Sequence, residues 1–161
     1  MIRLESMDET EFQGFVDRAI RRRAAKWAER GLWTEADGLE ACQRLYQRRL
    51  PKGRETPGNH FAKVMDSDTN APVGEIWYEA EREGGKLQFT VEWIQIEPEF
   101  RRRGYASAAL HSLEEMAARH GADRIHLTVW TDNPGAMELY SKLGYRPLNV
   151  DLSKRLPSQD R

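Results

Sequence analysis

Apolar positions along this chain alternate between two spacings, one that suits helices and one that suits strands. After a short strand-like start over Met1 to Ser6, Phe12, Phe15, Ala19, Ile20 and Trp27 recur at helical intervals, with Arg18, Arg21, Arg22 and Glu29 on the other face. Asp8 with Glu11 three residues later reads as a capping box, and Gly31 as a stop. Thr34 with Asp37 opens a second helix, whose stripe is Leu39, Cys42, Leu45 and Tyr46 and whose end is marked by Pro51. A polar loop over 52–58 follows.

The spacing then drops to two. His60 to Met65 and Pro72 to Glu79 read as a hairpin around the turn-rich 66–70 segment, and Leu87 to Ile96 as the longest strand, after a Gly84-Gly85 turn. Simple alternation on that strand puts Val91, Trp93 and Gln95 on one face and Glu92, Ile94 and Ile96 on the other. A helix over Ser107 to His120, with Leu110, Leu113, Met116 and Ala117 inward, stops at Gly121. A strand over Arg124 to Trp130, a helix from Pro134 and a last strand over Tyr145 to Leu152 complete the order. That mixture predicts one α/β domain over residues 1–156, with a frayed tail at 157–161.

Composition narrows the function classes. With 161 residues, 39% hydrophobic and 32% charged, the chain can bury a core in one domain. A formal net charge of -1 argues against a general nucleic-acid binder, although arginines cluster at 21–23, 48–49 and 101–103. No apolar run reaches membrane-spanning length and the start has no signal-peptide core, so a cytoplasmic protein without membrane attachment is expected. One cysteine, Cys42, excludes an internal disulfide and reads as a small core side chain. The four histidines show no ligand spacing, so no metal is expected.

The chemistry concentrates where the longest strand runs into Arg101-Arg102-Arg103-Gly104-Tyr105-Ala106-Ser107. A glycine-marked basic turn opening a helix is an anion cradle: the first N–H groups of the helix lack partners and point outward with the positive end of its dipole. Three arginines at a helix N-terminus oppose that dipole unless an anion offsets them. There is no G-x-G-x-x-G for a dinucleotide and no G-K-[ST] for a nucleotide's terminal phosphates.

The pattern R-x-x-G-x-A at Arg101, Gly104 and Ala106 resembles motif A of the GCN5-related N-acetyltransferases, the GNAT superfamily. The segment Asn133-Pro134-Gly135-Ala136-Met137-Glu138-Leu139-Tyr140-Ser141-Lys142-Leu143-Gly144-Tyr145 resembles that family's motif B, N-x-x-A-x-x-L-Y-x-x-x-G-[FY]. Both stand in the family's order, and the resemblance spans 72–148. It implies a mixed, mainly antiparallel sheet flanked by helices and splayed between the fourth and fifth strands. It also implies acetyl-CoA as cosubstrate and an amine-bearing small molecule or peptide as acceptor, with a homodimer common. The acceptor stays open among a peptide N-terminus, lysine, polyamine, aminoglycoside and small xenobiotic amine.

The resemblance assigns roles residue by residue. The amides of Arg101, Arg102, Arg103, Gly104, Tyr105, Ala106 and Ser107 would hold the CoA pyrophosphate, and Arg102 departs from the glycine frequent at its position. Backbone at Ile94, Gln95 and Ile96 would pair with the pantetheine arm. Asn133 is first a helix cap, with a pantetheine hydrogen bond as an added role. Tyr140 is either core or the acid that protonates the departing thiolate. Glu92, among apolar neighbours, is either a general base for the incoming ammonium or a carboxylate that only orients it. Trp77, Trp93 and Trp130 are candidates for an acceptor pocket or for the core. Two rival readings are a non-catalytic acyl-CoA-binding sensor and an RNA- or tRNA-directed protein using Arg21 to Arg23.

Overall fold

The computed structural model describes residues 1–154 and 156, so the expected tail at 157–161 lies outside the described residues. The chain forms two compact units, one over Met1–Thr128 and a second from Val129 onward.

The first unit is a five-stranded sheet with three helices. Its strands are β1 (Ile2–Ser6), β2 (Asn59–Asp66), β3 (Pro72–Glu83), β4 (Lys86–Ile96) and β5 (Ala122–Leu127), lying side by side in chain order. The first four pair antiparallel, and β4 pairs with β5 in parallel. Helices α1 (Glu9–Glu29) and α2 (Glu35–Arg49) precede β2, and α3 (Tyr105–Arg119) connects β4 to β5. This is the mixed α/β architecture expected from the sequence.

Local signals account for most boundaries. Asp8 and Glu11 form the reciprocal capping box of α1, and the Thr34 side chain accepts from the Asp37 amide at the start of α2. Helix α3 begins at Tyr105, two residues before the expected start, because Gly104 adopts the left-handed conformation that turns the chain into the helix. Strand β5 ends at Leu127, which leaves Trp130 outside it.

Each face of the sheet has its own helices. Phe15 of α1 meets Phe61, Trp77 and Trp93, and Tyr46 of α2 meets Trp77, so α1 and α2 cover one face. Tyr78, one residue on from Trp77, points the other way, stacks on Phe89 and donates to the Met116 sulfur of α3 at 3.3 Å. Trp77, Phe15, Ile76, Leu110 and Leu113 are fully buried, each worth about 1.5–3 kcal/mol by transfer from water. Cys42 is buried too, and burial pushes its thiol pKa up, as suits a core side chain. No helix among the described residues is long and apolar enough to cross a membrane.

In the second unit, helix α4 (Pro134–Lys142) is capped by Asn133, whose side-chain oxygen accepts from the Ala136 amide at 3.2 Å. The expected last strand over 145–152 is not formed: among the described residues none follows α4. Alternation makes a segment fit for a sheet, but a strand exists only where a neighbour supplies its hydrogen bonds. Here Leu148, Val150 and Leu152 are exposed.

Candidate active site

Strand β4, expected to be the longest, is one residue shorter than β3 (11 against 12 residues) and is irregular at one residue. Trp77 of β3 pairs with Trp93, but the next residue, Tyr78, pairs with Val91, so Glu92 is an extra residue without a partner on β3. Such a bulge bends the strand and re-aims its side chain. The parallel ladder to β5 ends at the same point, at Val91↔Leu127, while the pairing with β3 runs on to Gly74↔Ile96. β5 itself ends at Leu127, so beyond Val91 the stretch of β4 containing Ile94, Gln95 and Ile96 is paired on one side only, as the expected splay requires. At its end the strands lie very close: a Cβ on Gly74 would come within 2.3 Å of the Gln95 carbonyl oxygen.

The bulge also corrects the expected facing of Glu92. Ile94 and Ile96 sit opposite Ile76 and Gly74, on the α3 face, whereas the Glu92 carboxylate reaches Arg49 of α2 on the opposite face. Nor is it surrounded only by apolar groups. Arg49 donates to its two oxygens at 2.5 and 2.7 Å, and the same guanidinium bonds Glu79 of β3 at 3.2 Å. Arg49 lies over the Trp77 ring, 5.1 Å from its centre, and the carboxylates push its pKa further up. The Glu92 side chain is only 14% exposed, so this pairing sits largely out of water.

At the end of β4, a short 3₁₀ turn over Pro98–Phe100 leads into the basic loop. Arg102 has φ 63° and Gly104 φ 81°. The first is an unusual conformation for a side-chain-bearing residue, costing about 1–2 kcal/mol, and explains why a glycine suits that position. Gly104 has no side chain to cap α3, and Ala108 is the first to bond back, to the Gly104 carbonyl at 2.9 Å. The Tyr105, Ala106 and Ser107 amides thus belong to the turn whose N–H groups have no intrahelical acceptor. A Cβ on Gly104 would meet nothing within 4 Å, so the loop leaves open space where a phosphate would approach.

The arginine side chains have more local roles. Arg101 Nε donates to the Ile96 carbonyl at 2.9 Å, tying the loop to the end of β4, and Arg103 lies 5.9 Å from the centre of the Phe100 ring. Tyr105 donates its hydroxyl to Asp66 of β2 at 2.5 Å, anchoring the first turn of α3 to the sheet. On α1, Arg18 and Arg22 do not simply face solvent. Arg18 bonds the buried Glu75 at 2.7 Å, Arg22 contacts Glu97 at 3.4 Å, and Arg23 lies over the Tyr46 ring. Two of the three arginines at 21–23, Arg22 and Arg23, are half-buried and already contact Glu97 and Tyr46, which weakens the reading of that helix as a phosphate-binding face.

In the second unit, Tyr140 packs edge-on against Tyr145, ring centres 5.9 Å apart, and burial pushes its phenol pKa up. It stays protonated at neutral pH, as a proton donor must.

The sequence matches the profile of the Acetyltransferase (GNAT) family over residues 19–145. The chain belongs to the GNAT family. It is 31% identical over 153 residues to the uncharacterised N-acetyltransferase YdgE of Bacillus subtilis, covering 95% of this chain and 97% of that one. It is 29% identical over 156 residues to the uncharacterised N-acetyltransferase YycN of the same organism, covering 96% and 99%. The crystal structure of YycN superposes with a TM-score of 0.90 at 26% identity, over 98% of this chain and all of the other. The fold also resembles that of AAC(6')-Iy, solved in complex with a bisubstrate analogue of CoA, with a TM-score of 0.58 at 14% identity over 98% and 99% of the chains.

Within this GNAT chain the motif A residues and the half-paired stretch of β4 share one unit and one turn of chain. Asn133 and Tyr140 belong to α4 of the other unit. Sequence reasoning missed Arg49 and Glu79. Their signal was available in part: Glu79 stands two residues from Trp77 on the same strand, and Arg49 occupies the last turn of α2 before Pro51.

Proposed function

We propose that this protein transfers the acetyl group of acetyl-CoA to a primary amine by direct attack in a ternary complex. The observation that carries this reading is the left-handed Arg102–Gly104 loop at the N-terminus of α3, reached directly from the half-paired end of β4. An anion cradle beside open strand backbone suits a ligand with a pyrophosphate at one end and an amide-bearing arm at the other. The amides from Arg102 to Ser107 hold the pyrophosphate, without the expected Arg101 amide, which donates to the Pro98 carbonyl at 3.3 Å, and Ile94 and Ile96 offer backbone groups to the arm. A backbone N–H near Ile94 donates to the thioester carbonyl as negative charge develops on it. Glu92 receives the proton of the attacking ammonium, directly or through water, and Tyr140 donates one to sulfur. Asn133 fixes the start of the helix that carries Tyr140. No metal is required, and among the described residues no His, Cys, Asp and Glu group is arranged to hold one.

The acceptor is an amine-bearing small molecule or peptide. Consumption of acetyl-CoA over a panel of amine classes tests the reading: amine-dependent release of free CoA with a matching acetylated product supports it, and binding of acetyl-CoA without turnover on any class favours a sensor.

A further inference from the structure

Arg49 was read from the sequence only as part of the arginine cluster at 48–49, yet its guanidinium bonds both Glu92 and Glu79. It comes from α2, Glu79 from β3 and Glu92 from the bulge of β4. One guanidinium nitrogen bonds oxygens of both carboxylates, at 2.7 Å to Glu92 and 3.2 Å to Glu79. Those two oxygens can be no farther apart than the sum of these contacts, and the side chains around them are largely shielded, 32% exposed for Arg49, 27% for Glu79 and 14% for Glu92.

We propose that Arg49 is a positioning residue that holds Glu79 and Glu92 together as two ionised carboxylates, leaving the cluster with one net negative charge toward a cationic acceptor. This rests on the reading of Glu92 as the carboxylate that receives the amine proton. Without a cation between them, two carboxylates this close repel each other, which raises the cost of ionising both and favours uptake of a proton by one of them. The bidentate contact also sets the orientation of Glu92, since a planar fork fixes a carboxylate in two directions where a lysine fixes it in one. The Trp77 ring beneath the guanidinium holds the fork in place.

The other groups around the cluster do not replace Arg49. On α2, Tyr46 is buried against Trp77, and its phenol is pushed up by burial, so it stays neutral. From α1, Arg23 lies over the Tyr46 ring at 5.6 Å. On the sheet, Glu81 stands two residues along β3 from Glu79 and so on the same face, while Trp93 follows Glu92 on β4.

The test compares wild type with Arg49→Met, Arg49→Lys and the double variant Arg49→Met/Glu79→Gln. Methionine keeps apolar cover on Trp77 and removes the charge, while lysine keeps the charge without the fork. CoA titration checks that the cradle and the fold are intact. In Arg49→Met, kcat/KM for the amine falls by about tenfold or more at neutral pH and the acid limb of its pH profile moves to higher pH. Arg49→Lys falls between. Glu79→Gln in the Arg49→Met background returns the limb toward wild type, because Glu92 then has no carboxylate neighbour. A second readout needs no turnover: carbon-detected NMR titration of the labelled glutamate carboxylates, assigned with Glu79→Gln and Glu92→Gln. It shows one carboxylate of the pair titrating at higher pH in Arg49→Met. Parallel profiles and unchanged NMR titrations in Arg49→Met, or a double variant as impaired as the single one, overturn the proposal. If wild type acetylates no amine, the functional reading fails, and the NMR titrations still decide whether Arg49 sets the charge of the pair.

Discussion

Tyr105 donates its hydroxyl to Asp66 across the sheet, at 2.5 Å, and so joins the first turn of α3 to the end of β2. The turn that presents the cradle amides is thereby held against a rigid strand instead of standing on the loop alone. The contact holds the Asp66 carboxyl below its ordinary range, helped by the Asp68 and Thr69 amides, and pushes the Tyr105 phenol above its own.

A pH dependence of stability follows. With the Asp66 pKa lowered in the folded protein, its contribution is present above the ordinary carboxylate range and is lost as pH falls through the lowered value. Tyr105→Phe is expected to lower the melting temperature at neutral pH and to converge on wild type in acid. Thermal unfolding across that range checks it, and a constant difference at every pH would mean that the hydroxyl acts through packing alone.

Tyr140→Phe keeps the ring beside Tyr145 and removes only the proton donor. The expected outcome is a kcat lowered by about 10-fold to 1,000-fold, as fits a general-acid contribution, with little change in KM for acetyl-CoA. A wild-type kcat would remove Tyr140 from the chemistry and leave it as a core aromatic.

Glu92→Gln is expected to retain CoA affinity and to lose kcat/KM for the amine. The loss shrinks as pH rises, because free amine then needs no help with its proton. Profiles that run parallel to wild type through the amine's own titration would reduce Glu92 to an orienting group.

Cys42 lies in the core with its thiol pKa raised by burial, so thiolate is scarce at neutral pH. A thiol reagent is expected to label it only after unfolding. Rapid labelling of the native protein would show that α2 opens readily from the sheet.

What the sequence disclosed depended on the range of the interactions involved. The Asp8–Glu11 box and the Thr34 cap are set within a few residues, and each is where the pattern placed it, whereas the left-handed Gly104 starts α3 two residues before the expected Ser107. The bulge at Glu92 is different, since it exists only in the register between β3 and β4; period-two counting sent the side chain to the wrong face. Arg49 reaches Glu92 from another element altogether, and no local pattern encodes that pairing. The segment over 145–152 shows the opposite failure, a strand-like alternation without a paired neighbour. For the cradle, the composition of the turn was legible, but the tie from Arg101 to Ile96 and the left-handed strain at Arg102 required the backbone path.

The most direct test of the account is a calorimetric titration of CoA into wild type and Gly104→Asp. An aspartate side chain enters the space that Gly104 leaves open and sets a negative charge where a phosphate would lie, in a left-handed conformation that Asp tolerates better than most residues. The account predicts submillimolar binding by wild type, of about −4 kcal/mol or stronger, and its loss in a variant that still folds. Equal affinity in the two proteins would contradict it and move the cofactor away from the N-terminus of α3.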